Sequence, residues 1–369
     1  MACVSPEMDL NGQIGALLRD FAAIQTSKQR MWGYKRAASA ILALEEPIAS
    51  FLRPDGTLRK IPNIGPASTR IIVEVLQTGT SATVERAIAE SGQGADIGRR
   101  RELRGHFLSR AEVAAALKNR KLSGPRVEDY RGDLQMHSTW SDGSQTLADI
   151  VEAGLARGYT FSAVTDHSYG LKIARGVSME DLRTQHREID VLNRKYRGRF
   201  RLIKGVEANI RADGSVDMER NELRELELVV AAPHSILRTT SDQTSRMVNA
   251  VRSPGVHILG HPRGRKYGSR PGVTADWDAV FKAAKAANVA IEIDGDPSRQ
   301  DVDYALAKRA VAAGCLFALD SDAHSTPELA YSETAIAHAR LAGVPADRVV
   351  NCWPVDRLMR WLAERATAP

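Results

Sequence analysis

Only three cysteines occur in 369 residues, Cys3, Cys315 and Cys352. Odd in number and far apart, they suit neither a disulfide framework nor a thiolate zinc cluster, and they read as reduced thiols. No stretch approaches the ~18 consecutive apolar residues of a membrane span. The opening MACVSPEMDLNG lacks the basic start and apolar run of a signal peptide, which sets the expectation of a cytoplasmic protein with no membrane partner. No Ser-His or Cys-His pairing stands out as a nucleophile motif. What is present, 43% apolar residues and 26% charged ones, is ordinary for a folded globular chain.

Charge is unevenly placed. Residues 1–126 hold 19 Lys+Arg against 12 Asp+Glu, a net of +7, while the whole chain is +6, so residues 127–369 are close to neutral. A basic balance confined to one region fits a phosphate-backbone binder, although a solvated basic surface has the same composition.

The first third reads as helical, with Ala- and Leu-rich segments near 10–25, 28–44, 66–78 and 83–91. A further helix near 110–118 is announced by Ser109 with Glu112 three residues later, a capping box. KLSGPR (121–126) supplies the Gly and Pro of a boundary. The expected organisation is a helical domain over 1–80, a helical connector over 81–126 and an α/β domain over 127–369. In the last of these, short apolar runs alternate with helical stretches at 146–157, 180–195, 275–287 and 302–313. Seven runs qualify as strands: 133–137, 161–165, 200–206, 226–232, 256–260, 289–293 and 316–320. The pattern predicts a closed or nearly closed parallel (β/α) barrel, with its chemistry at the C-terminal ends of the strands.

Metal-ligand side chains follow six of those seven runs: His137, Asp166 with His167, Glu207, His234, His261, and Asp322 with His324. Five of the nine histidines fall at these positions, whereas His106, His186, His257 and His338 lie elsewhere. One histidine after a strand is commonly structural. Five with three acids point to Mn, Zn or Fe, and to hydrolysis of a phosphoester by water that clustered ions activate.

The ordered motifs DLQMHSTWSDG (133–143), VTDHS (164–168), GVEAN (205–209), APHS (232–235), LGHPRGR (259–265) and DSDAHS (320–325) resemble those of the PHP (polymerase and histidinol phosphatase) domain. The similarity is greatest to the PHP domain of bacterial family X DNA polymerases. It implies a distorted seven-stranded barrel holding two to three divalent ions. His137, Glu207 and Asp322 would form one site, Glu207, His234 and His261 a second, and Asp142, His167 and His324 a third, with Asp166 orienting its neighbours. Gln135 stands where the family has a first histidine, so an amide oxygen would replace imidazole in the first site. Lys172, Arg175, Arg263, Arg265 and Arg299, near strand ends, are candidates for gripping phosphate.

IPNIGPAS (61–68) resembles a helix-hairpin-helix turn, and with YKRAASAILALEEPI (34–48) before it the segment is similar to the small all-α N-terminal domain of family X polymerases. The implied partner is DNA, held through its backbone without base readout, around Ile64, Gly65, Ala67, Ser68 and Arg70. PASTRIIVEV (66–75) contains no lysine for a Schiff base, and no room remains for a polymerase palm. The resulting expectation is a DNA phosphodiesterase, a 3′→5′ exonuclease or repair-type nuclease. A phosphomonoesterase of the histidinol-phosphatase type and a DNA-binding protein with a decayed metal site are the alternatives. Protein partners are left unspecified.

Overall fold

The computed structural model describes residues 9–366. Two compact units emerge, one of residues up to 118 together with 267–269, the other of the remaining chain. No helix among the described residues is long and apolar enough to cross a membrane.

The first unit is all-α: α1 Leu10–Ala23, α2 Lys28–Leu42, α3 Pro66–Thr78, α4 Ala82–Ser91, α5 Gly94–Glu102 and α6 Arg110–Lys118. Asp9, Ser27 and Ser81 cap α1, α2 and α4, each accepting the backbone N–H three residues on. Ser109 caps α6 through its hydroxyl, and the Asp9 carboxylate rather than Glu112 takes the Ser109 N–H. Ile14, Leu18, Ile41, Ile72, Val75 and Ile97 share one core. α5 is the helix the pattern did not announce, because GADIGRRRE offers a single buried apolar residue, Ile97. Charge holds it instead: Arg101 and Arg104 both pair with Asp20 of α1, a carboxylate 0% exposed. α3 starts at Pro66, after a Gly65 that lacks any side-chain cap, and stops at Gly79 in the left-handed conformation.

The second unit carries β1 Phe161–Val164, β2 Arg201–Asn209, β3 Leu228–Ala232, β4 Ile258–Leu259, β5 Ala290–Asp294 and β6 Leu316–Asp320, parallel and in sequential order. α7 Leu147–Ala156 precedes β1. α8 Met179–Lys195, α9 Arg220–Leu223, α10 Thr244–Arg252, α11 Trp277–Ala287 and α12 Tyr304–Ala313 connect successive strands, and α13 Ser332–Ala342 and α14 Val355–Ala366 follow β6.

Among the described residues six strands, not the expected seven, form the sheet. Residues 133–137 lie between its edges without becoming a strand: the N–H groups of Ala163 and Thr165 donate to Asp133 and Met136 carbonyls, and His137 N–H donates to Ala323. Three residues here face two on β1, as in a bulge, and the ladder is broken. Side chains complete it, with Leu134 N–H donating to Asp320 Oδ1 and Met136 N–H to Thr165 Oγ1.

One face of every strand meets in a common core of Phe161, Ala163, Ile203, Leu228, Val230, Ile258, Ala290 and Ala318, joined by Leu134 and by Trp353, Trp361 and Leu362 from the C-terminal region. Two-residue periodicity then places Glu207, Glu292, Asp294 and Asp320 on that same face, nearer the C-terminal ends. Apolar packing at one end therefore gives way to buried carboxylates at the other.

His257 tests the packing of α14. Its ring accepts the Val229 N–H and donates to the Leu362 carbonyl. Burial pushes its pKa down from 6.5 to about 4. A depressed imidazole pKa contributes stability that is present above the unfolded value and lost as pH falls through the folded one. Unfolding free energy should thus decline between pH 6.5 and 4, by up to about 3 kcal/mol from this residue alone. Denaturant titrations of His257→Gln should give a flatter profile over that window.

Candidate metal centre

Glu207, near the end of β2, sits at 0% exposure with four imidazoles around it. His234 and His261 place Nε2 at 3.2 and 2.8 Å from Oε1, while His137 Nε2 and His167 Nδ1 lie 3.3 and 3.1 Å from Oε2. Each histidine follows a different strand or the 133–137 segment, so the parallel order of the sheet is what assembles them. Burial opposes the Glu207 charge, but His167, His234 and His137 hold the carboxyl well below its usual range.

Asp322, after β6, places Oδ1 3.1 Å from His137 Nε2. Asp142 Oδ1 is 3.6 Å from His167 Nε2 and 3.5 Å from His324 Nε2. Burial works against ionised Asp142, yet His324, His167 and His137 bring it to about 2. His324 Nδ1 donates to the Asp322 carbonyl at 2.8 Å, which leaves Nε2 to face Asp142; burial opposes the charged ring, but Asp142 and Asp322 raise its pKa. His261 and Asp322 both adopt positive φ, 22° and 52°, a strained backbone at two candidate ligands.

Three sets bring one donor atom per residue within 4.8 Å of each other: His137, Glu207 and Asp322; His167, Glu207 and His234; and His137, Asp142, His167 and His324. The first set repeats an expected site; in the second His167 stands where His261 was expected, His261 falling in none of the three although its Nε2 touches Glu207; and in the third His137 joins Asp142, His167 and His324.

The donors fit divalent ions on two physical grounds. Although close to one another, His167 Nδ1, His234 Nε2 and Glu207 Oε2 make no directed hydrogen bond among the described residues, as expected of lone pairs aimed at a shared centre. The His137 ring also stacks on those of His167 and His324 at 4.4 and 4.3 Å, so three imidazoles gather at one place, as donors to neighbouring ions do.

Asp166 lies deeper. It accepts from Ser138 N–H at 2.8 Å, from the Ser138 and Ser141 hydroxyls and from Gln185 Nε2. It therefore fastens the 138–141 turn that leads to Asp142. Gln135 sets its side-chain amide against the Glu292 carboxyl, an acid that the sequence reading missed. Burial, then the nearby Asp320 and Asp294, raise the Glu292 pKa well above the ordinary range. An acid at an inward position of β5 was the available signal.

The candidate phosphate cations divide three ways. Arg299 reaches the site, with Nη2 3.1 Å from Asp322 Oδ2. Arg263 is spent on Asp301 and Asp303, and Arg265 donates to the Arg299 and Gln300 carbonyls, so both support the loop that presents Arg299. Lys172 and Arg175 are exposed on the loop after β1. In the helical unit, Gly65 and Arg70 are exposed, Ser68 is buried, Ala67 is half-buried, and Ile64 packs against the core.

A helix-hairpin-helix domain model matches residues 9–81. The DNA polymerase/3′-5′ exonuclease PolX of Bacillus subtilis is 35% identical over 242 residues, covering 62% of this chain and 42% of that protein, so the chain spans less than half of that relative. A probable phosphatase of Citrobacter koseri is 30% identical over 254 residues, 65% of this chain and 97% of its own length. The crystal structure of a histidinol phosphate phosphatase from Lactococcus lactis, complexed with Zn, L-histidinol and phosphate, aligns at 18% identity and TM-score 0.42, covering 56% of this chain and 92% of that one.

If Glu207 joins two ion sets, Glu207→Gln should lose more than one metal equivalent per chain in elemental analysis while its circular dichroism stays native. Full retention of metal would remove the bridging role.

Proposed function

The chain belongs to the PHP family of phosphoesterases, and on that premise we propose that it is a metal-dependent DNA phosphodiesterase, a 3′→5′ exonuclease or repair-type nuclease. The observation that carries this reading is the presence, in one chain, of the Glu207-centred donor cluster and a helix-hairpin-helix segment over residues 9–81. Similarity to the PolX exonuclease supports it.

In this reading His137, Asp142, His167, Glu207, His234, His261, Asp322 and His324 hold two to three divalent ions of Mn, Zn or Fe. Such ions supply Lewis acidity to phosphoryl oxygens and lower the pKa of water. Arg299, half-buried beside Asp322, holds the scissile phosphate and offsets its growing charge. Asp166 keeps the Asp142 turn in place through Ser138 and Ser141. In the helical unit, the uncapped start of α3 gives backbone N–H groups to a DNA phosphate.

A phosphomonoesterase is the second reading. The probable phosphatase that aligns over 97% of its length supports it.

One panel separates the two: the purified protein with Mn²⁺, end-labelled single-stranded, gapped and abasic DNA, and histidinol phosphate. Degradation from 3′ ends supports the nuclease. Turnover of histidinol phosphate alone supports the phosphatase.

Gly65 gives a second check. A Cβ added there meets nothing within 4 Å, so Gly65→Val should fold normally. If phosphate approaches these amides, DNA affinity should fall roughly tenfold, ~1.4 kcal/mol, the order of one charge-assisted hydrogen bond. Anisotropy titrations against salt would read it, and an unaltered affinity would remove DNA from this turn.

A further inference from the structure

Ile173 is 93% exposed, far beyond the next most exposed large apolar side chains, Val191 at 54% and Trp32 at 53%. It stands on the short turn Lys172–Ala174 that follows β1, with Lys172 and Arg175 exposed beside it and Ala174 buried beneath. Among the described residues neither cation has a side-chain hydrogen bond or ion pair. We propose that this loop is a strand-separating wedge, in which Ile173 enters between the last base pairs of a DNA duplex while Lys172 and Arg175 hold the adjoining phosphates. The proposal rests on the DNA phosphodiesterase reading and names its substrate more closely, a paired 3′ end.

The loop is built to present a fixed tip. Leu171 N–H donates to Ser168, Gly176 N–H to Leu171 and Val177 N–H to His167, at 3.0, 3.1 and 2.7 Å. Ser168 Oγ donates to Asp217 at 2.8 Å. Glycine is required on both sides of the tip, since a Cβ at Gly170 would lie 1.8 Å from Asp217 Oδ2 and one at Gly176 1.9 Å from the Ser168 carbonyl. Arg175, at φ 55°, turns the chain back. A tip fixed in advance loses little freedom on binding.

Its placement matches the task. The root holds His167, whose ring touches Glu207, and Ser168 N–H donates to the Glu207 carbonyl. The tip therefore rises from the same end of the sheet as the candidate ligands. His137, His167, Glu207, His261 and Asp322 are buried, at 0–6% exposure, behind the partly exposed rim of His234, His324 and Asp142. A phosphodiester reaches donors so recessed as an unpaired strand, so a paired end must first be opened. Apolar side chains flanked by cations open base steps in this way.

The test uses the full-length protein with Mn²⁺, comparing wild type and Ile173→Ala on blunt duplex and single-stranded DNA. The duplex-to-single-strand rate ratio should fall about tenfold, the scale of one lost wedge contact. Fluorescence gives a readout without turnover: 2-aminopurine at the terminal pair should brighten when Glu207→Gln binds and stay dim with Glu207→Gln/Ile173→Ala. An unchanged ratio together with equal brightening overturns the wedge and leaves the nuclease reading standing. Failure of the wild type to degrade either DNA overturns both.

Discussion

A single buried carboxylate, Glu207, organises the site. An ionised acid at 0% exposure is untenable without partners, and four imidazoles from four separate chain segments surround it. That requirement reaches far into the fold. β2 must extend to Asn209 to carry the acid, its neighbours must be parallel so that their C-terminal ends converge, and His261 and Asp322 must accept positive φ to face inward. Sheet and site are thus one construction, with Ile203 and Glu207 on the same face of the same strand.

Much of this was legible in the chain because the signals were local. Strand-length apolar runs ended in His, Asp or Glu, and the helices of the first unit showed period and caps, so the expected metal-type residues lie among the clustered donors, except that His261 only touches Glu207 beside them, Asp166 lies behind them and Gln135 faces Glu292. Signals that depend on distant partners were not legible. α5 forms because Arg101 and Arg104 meet Asp20, some eighty residues away. DLQMH has strand composition, but its extra residue against β1 and the side-chain bonds from Asp320 and Thr165 exist only in the assembled sheet. Arg263 and Arg265 read as phosphate ligands by position, whereas Asp301 and Asp303, thirty-eight and forty residues from Arg263, claim its guanidinium.

Behind the donors lies a layer of acids, Asp133, Glu292, Asp294 and Asp320, each fully buried. Burial comes first in raising every one of them, and the last three lie well above the ordinary carboxyl range. Protons shared within this layer let hydrogen-bonding carboxyls stand where salt bridges would be costly. Gln135 belongs to it through Glu292, which relates a departure in the first motif to the interior beneath.

The bulged segment 133–137 also bears on how such a site changes over generations. Gln135 and His137 ride on a stretch joined to its neighbours partly by side chains, so a substitution there leaves the main-chain ladders of the six strands intact. Glu207 has no such latitude, since its strand pairs on both sides. The seam is where drift is cheap, and one ligand position can be tried, lost or exchanged there while the rest of the centre keeps its geometry.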